Sequence, residues 1–233
     1  MRLLLKTLLT IGFFAMTPLA HGQDTPSDES KAAEPCIPQS ALDAYIQLRW
    51  ERRVDQWNEV SAPRDAVVFV GSSIIEEGEW SALFPGVVTV NRGIGADTTQ
   101  GVLDRLDQII AMQPSKVFLY IGGNDFSRLG DTPEASIDRL KTILRELNTA
   151  LPDTRVFVHS LFPREQRFAD KIKAYNEMVL DLDQNAAVTT IDVFPWFAQP
   201  DGSIDPRYAN DGIHLSGEAY RIWADRISEF VLG

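Results

Sequence analysis

Five short runs of β-branched and aromatic residues punctuate this chain, and longer amphipathic segments separate them. The runs fall at residues 67–70 (VVFV), 87–90 (VVTV), 117–121 (VFLYI), 156–158 (VFV) and 188–191 (VTTI). Each is apolar on both faces, as a parallel strand covered by helices must be. Segments 98–112, 133–150, 167–184 and 216–232 read as helices. The first of them places Val102, Leu103, Leu106, Ile109 and Ile110 on one face. Thr132-Pro133-Glu134 and Ser216 supply helix starts. Residues 38–57 form a further helix ahead of the first strand, with Leu42, Tyr45, Ile46, Leu48, Arg49, Trp50 and Val54 giving a partial helical period and Trp50 and Trp57 as anchors against the domain. Strand–helix alternation of this kind predicts a three-layer α/β/α, flavodoxin-like fold with a central five-stranded parallel sheet.

The chain has 233 residues, room for one domain with a substantial core. Residues 1–22 read as a signal peptide: Arg2 and Lys6 precede an apolar stretch, and Ala20-His21-Gly22 fits a cleavage site. Residues 23–37 are polar and read as a disordered leader, leaving 38–233 as the domain. The destination expected from this is the periplasm or the exterior. One cysteine and three histidines exclude a disulfide framework and give no support to a Cys/His metal cluster. A formal charge of −11 argues against nucleic acid and anionic lipid as partners. No stable membrane insertion, metal or organic cofactor is expected.

In a doubly wound sheet, chemistry gathers at the carboxyl ends of the strands. Gly71-Ser72-Ser73 follows the first run, Asn91-Arg92-Gly93-Ile94-Gly95-Ala96-Asp97 the second, and Gly122-Gly123-Asn124-Asp125 the third; Asp211-Gly212-Ile213-His214 lies beyond the fifth. Singly these are ordinary. A Gly-Ser-Ser turn also caps helices or cradles phosphate, and Asn124 and Asp211-Gly212 are turn residues. Together they supply a hydroxyl, free backbone N–H groups, a side-chain amide, a carboxylate and an imidazole, the parts of acyl transfer. Asp211 and His214, three residues apart, suit a base and the group that orients it. His159, at the end of the fourth run, reads as a structural residue bordering the cleft, and Arg164 as an exposed loop residue.

These ordered blocks resemble the SGNH, or GDSL-like, hydrolases, and within them the platelet-activating-factor acetylhydrolase catalytic-subunit type. Residues 91–100 (NRGIGADTTQ), Leu161-Phe162-Pro163-Arg164 and His214-Leu215-Ser216 carry the finer likeness. The resemblance implies Ser73 as nucleophile, His214 as general base and Asp211 as its orienting acid. It implies an oxyanion hole built from the backbone N–H of Ser73, that of Ala96 and the Asn124 side-chain amide. Two positions depart from the family pattern: Ser72 stands where an aspartate precedes the nucleophile, and Ala96 where a glycine donates to the oxyanion. The implied activity is a serine esterase acting on short acyl esters, acetyl foremost, with acetylated carbohydrate as the export-compatible small-molecule substrate. Lysophospholipase or thioesterase action on the same site is the alternative within enzymes. A non-catalytic glycan- or phosphate-binding domain of the same fold is the alternative outside them.

Overall fold

In the computed structural model, which describes residues 38–60, 62–182 and 188–233, the strands are β1 (Val67–Gly71), β2 (Thr89–Gly93), β3 (Lys116–Tyr120), β4 (Arg155–His159) and β5 (Thr189–Ile191). They form one sheet in the order β2-β1-β3-β4-β5, with every neighbouring pair parallel. The expected signal peptide at 1–22 and leader at 23–37 lie outside the described residues. The helices are α1 (Gln39–Glu59), α2 (Ser73–Glu76), α3 (Trp80–Leu83), α4 (Thr99–Asp104), α5 (Leu106–Ala111), α6 (Pro133–Ala150), α7 (Ala169–Leu180) and α8 (Gly217–Leu232).

Side chains alternate across the sheet, so each strand contributes to two layers. Phe69, Phe118 and Phe157 are register neighbours on β1, β3 and β4, and their rings stack at 5.1 and 4.5 Å. Trp80 of α3 stacks on Phe69 at 3.9 Å and meets Trp223 of α8 edge-on at 5.0 Å. The alternate valines and leucines of the strands face the opposite layer. There α6 buries Ile137, Leu140, Ile143, Leu144 and Leu147. Helix starts follow local chemistry: the hydroxyls of Thr132 and Ser216 accept from the N–H groups of Ala135 and Ala219.

Four expectations shift. The second strand runs from Thr89 to Gly93 rather than 87–90, and Val88 is exposed. On this edge strand the polar pair Asn91-Arg92 continues the pairing, because the Asn91 amide donates to the carbonyls of Ile75, Glu76 and Gly78. The segment 98–112 is two helices that break at Arg105 (φ −119°, ψ 16°). The 167–184 segment begins with a tight turn at Gln166–Phe168, its helix ends at Leu180, and 183–187 lie outside the described residues. Finally, α1 has no fully buried residue: Leu42, Tyr45 and Leu48 face solvent, and Trp50 and Trp57 are half-buried.

The break at Arg105 has a physical cause. Its guanidinium is withdrawn into the core, where Nε donates to Asp97 Oδ2 at 2.9 Å and Nη2 donates to the carbonyls of Gly71 (3.2 Å) and Arg92 (3.0 Å). Both ionic side chains are buried, at 0% and 2% exposure. One side chain thereby joins the carboxyl ends of β1 and β2 to the loop that follows β2. Burial pushes the Asp97 carboxyl up, opposed by the charge and hydrogen bond of Arg105. Removing one partner of such a pair leaves an uncompensated buried charge and costs about 3–5 kcal/mol. Arg105→Met should lower unfolding free energy by that amount in urea titrations; a loss under about 1 kcal/mol would show that the pair does not hold the strand ends.

His159 does not border a cleft. It is 1% exposed, Nδ1–H donates to the Leu119 carbonyl at 3.3 Å, and Nε2 accepts from Trp223 Nε1–H at 3.3 Å. This network takes a neutral ring, and burial lowers its pKa from 6.5 to about 4. The unfolded chain protonates His159 below about pH 6.5 and the folded chain only below about pH 4. Stability is therefore lost as pH falls through that window, by on the order of 3 kcal/mol. His159→Asn should flatten the pH dependence of unfolding free energy between pH 6.5 and 4; an unchanged slope would place the titrating group elsewhere.

Candidate active site

The turn after β1 is built by close approach. A side chain at Gly71 would collide with the Tyr120 carbonyl of β3, so only glycine lets the strand end there. Ser72 follows with φ −100° and ψ −147°, and Ser73 opens α2. Of the two serines it is Ser73 that meets an imidazole: Ser73 Oγ lies 3.0 Å from His214 Nε2. His214 arrives from the loop before α8, 141 residues away along the chain.

Asp211 holds that imidazole. Its Oδ2 lies 2.6 Å from His214 Nδ1, while Oδ1 accepts the backbone N–H groups of Ile213 (2.9 Å) and His214 (2.8 Å). Partial burial raises the Asp211 carboxyl, but the His214 side chain and these N–H donors outweigh it and bring the pKa to about 2. Asp211 is a carboxylate across the neutral range, which fixes the proton on Nδ1 and leaves Nε2 to accept from the serine hydroxyl. The side chains of His214 and Asp211 are 37% and 47% exposed, so the site is open to solvent.

Ala96 takes a left-handed conformation, φ 65°. For an L-residue this costs on the order of 1–2 kcal/mol, and the surroundings enforce it. Ahead of it, the Gly95 N–H donates to Glu76 Oε2 at 3.0 Å, and Glu76 also pairs with Arg49 of α1. The Ala96 carbonyl accepts from Arg128 Nη1 at 2.6 Å. Behind it, the Asp97 carbonyl accepts from Asn124 Nδ2 at 2.9 Å, and Asp97 is the partner of Arg105. Among the described residues the backbone N–H groups of Ser73 and Ala96 donate to no other protein atom, and the Asn124 amide keeps one N–H uncommitted. A recess of about 270 Å³, lined in part by Ala96, Trp50, Arg128 and Leu129, adjoins this loop. Ser73, Asp211 and His214 do not line it, so it lies beside the reacting groups.

Asn124 is placed by its neighbours. Gly122 before it has φ 121°, out of reach of ordinary L-residues. Asp125 after it is fully buried and accepts from Thr99 and from Arg139 of α6. Arg164 is not an exposed loop residue: at 7% exposure it donates to the Gly123 carbonyl at 3.0 Å and lies over Phe168. Glu76, Arg128 and Arg164 were not singled out as supports by the sequence reading. Glu76 had a signal there, one helical turn after Ser73, and Arg164 lies in the Leu161-Phe162-Pro163-Arg164 block that carries the family likeness.

The geometry thus brings together Ser73, His214 and Asp211 as one hydrogen-bonded chain, with Ala96 and Asn124 in one linked loop system. A hydroxyl held on Nε2 of an imidazole whose Nδ1 faces a carboxylate is equipped to lose its proton on attack. Among the described residues no helix is long and apolar enough to cross a membrane.

Comparison with known proteins gives the family of this chain. The model of the GDSL-like lipase/acylhydrolase family matches residues 69–222. Platelet-activating factor acetylhydrolase IB subunit alpha2 of Gallus gallus is 27% identical over 227 residues, covering 92% of this chain and 93% of that protein. The alpha1 subunit of Bos taurus is 32% identical over 164 residues, covering 66% and 69%. A solved structure from Streptococcus pneumonia, provisionally assigned as a platelet activating factor, superposes with TM-score 0.75 at 23% identity, covering 83% of this chain and 97% of that one. The same relatives overturn the expectation of export. The two acetylhydrolase IB subunits are cytosolic and not secreted or periplasmic proteins, which contradicts a periplasmic or extracellular destination. The chain belongs to the GDSL-like lipase/acylhydrolase, or SGNH, family and is a carboxylic ester hydrolase of that type.

Proposed function

We propose that this protein is a serine esterase for short acyl esters, acetyl foremost, working through a Ser73–His214–Asp211 triad and an acyl-enzyme, with residues 38–233 as the catalytic domain. The observation that carries the reading is the unbroken relay from Asp211 Oδ2 to His214 Nδ1 (2.6 Å) and from His214 Nε2 to Ser73 Oγ (3.0 Å). In the first half-reaction Ser73 Oγ attacks the ester carbonyl and its proton passes to His214 Nε2. The tetrahedral oxyanion is met by the N–H groups of Ser73 and Ala96 and by Asn124 Nδ2–H. Collapse expels the alcohol, which takes the proton from Nε2. Water then attacks the acyl-Ser73 ester, giving its proton to Nε2, and the carboxylic acid leaves as Ser73 regains its hydrogen. Asp211 remains ionised throughout and stabilises the imidazolium.

Hydrolysis of p-nitrophenyl acetate, butyrate and octanoate tests this. Ser73→Ala and His214→Ala should each lower kcat by about 10³-fold or more, and Asn124→Ala by about 10²–10³. Fluorophosphonate should label Ser73 alone. Activity on acetate that survives Ser73→Ala, or labelling at Ser72, overturns the assignment. A preference for octanoate over acetate supports the lysophospholipase or thioesterase reading, and no ester hydrolysis at all supports a binding-only domain.

The Ala96 methyl stands where the family has hydrogen and narrows the room for the acyl chain. Ala96→Gly keeps the N–H donor and relieves the left-handed strain. It should raise the butyrate-to-acetate ratio of kcat/KM; an unchanged ratio removes this methyl from the account of acyl selectivity.

A further inference from the structure

Three arginines converge on one indole away from the serine. The guanidinium carbons of Arg53, Arg92 and Arg105 lie 4.7, 4.7 and 5.5 Å from the centre of the Trp57 ring. Arg105 has its carboxylate, Asp97. Arg53 of α1 is met by the neutral oxygen of Gln56, 2.7 Å from Nη1. Arg92 of β2 is 8% exposed, and among the described residues the one hydrogen bond of its side chain is a long 3.4 Å contact to the neighbouring Asn91 carbonyl. Among the described residues no carboxylate pairs with Arg53 or Arg92. The Nε of Arg53, the Nε of Arg92 and Nη1 of Arg105 are all buried without an acceptor.

A buried cation with unmatched donors is costly, and this one sits in a chain of net charge −11. Burial, with the charges of Arg105 and Arg53 adding to it, lowers the Arg92 pKa to about 10, so the group stays charged at neutral pH. The Trp57 ring attracts the positive charge but offers no lone pair to an in-plane N–H. Arg92 opens into a cavity of about 340 Å³ that is also lined by Arg64, Trp57, Asn58, Gln108 and Met112, and among the described residues no acidic one lines it.

We propose that this cavity is an anion site in which Arg92, with Arg64 at its side, binds the oxyanion group of a small molecule, a phosphate or a carboxylate. The guanidinium fork presents paired N–H donors in the geometry such groups accept, and the missing counter-charge is the one the ligand brings. The site is separate from the ester chemistry. It adjoins that chemistry through Arg105, which shares the Trp57 ring and holds the Gly71 and Arg92 carbonyls.

The test is thermal unfolding of the full chain in inorganic phosphate and in acetate, with chloride as control at equal ionic strength. Phosphate or acetate should raise Tm saturably, by on the order of 2–4 °C near saturation. The anion with the lower half-saturating concentration identifies the preferred group. Arg92→Leu should abolish the shift measured against its own baseline. Arg64→Gln, at the more exposed edge, should raise the half-saturating concentration about tenfold and serves if Arg92→Leu fails to fold. Asn124→Ala should leave the shift intact. No saturable rise beyond chloride overturns the proposal. So does a rise that survives both arginine substitutions, or one lost in Asn124→Ala, which would place the anion in the oxyanion hole.

Discussion

The buried ion pair between Arg105 and Asp97 is the constraint on which the site depends. Arg105 reaches the carbonyl ends of β1 and β2, and Asp97 passes the restraint to Asn124 through its own carbonyl. The turn that presents Ser73, the loop that presents Ala96 and the amide of Asn124 are therefore tied to one guanidinium. Hydrophobic burial is non-directional and could not set these three groups to within a few tenths of an ångström. A charged fork with fixed donor directions can. The helix break at Arg105 follows from the same requirement, since the residue gives up helical geometry to reach inward.

Around this pair the hydroxyl and its base lie 141 residues apart along the chain and meet only in the folded domain. Ser73 is held at the start of a one-turn helix after β1, and His214 in the loop before α8. The Tyr220 hydroxyl of α8 donates to the Ile74 carbonyl at 2.7 Å, so the last helix is docked directly on the serine turn. Asp211, half-exposed, keeps its charge through the His214 side chain and local N–H donors, which outweigh its partial burial. That arrangement holds the imidazole without the desolvation cost of a deeply buried carboxylate.

Much of this was legible in the sequence because its signals are local. β-branched runs on a parallel sheet, the proline and threonine at the start of α6, and the polar residues following the strands all act within a few positions. Asn91 and Arg92 misled on the end of β2, since their polarity is absorbed by groups distant in sequence. His159 looked like a cleft residue because strand ends carry chemistry, yet Trp223 covers it and burial keeps it neutral. Arg164 looked exposed because it follows a strand in a loop, yet it holds the Gly123 carbonyl. No periodicity announces such partners.

By itself the sequence determined the strand–helix alternation, the order of the site blocks along the chain and the residue types available for acyl transfer, because each is written in spacing and side-chain chemistry. Only the tertiary structure decided that Ala96 is held at positive φ, and that Arg92 is buried beside two other cations with no carboxylate paired to it among the described residues. Those outcomes depend on groups tens of residues apart being brought within hydrogen-bonding distance, and distance in space is what a linear pattern does not encode.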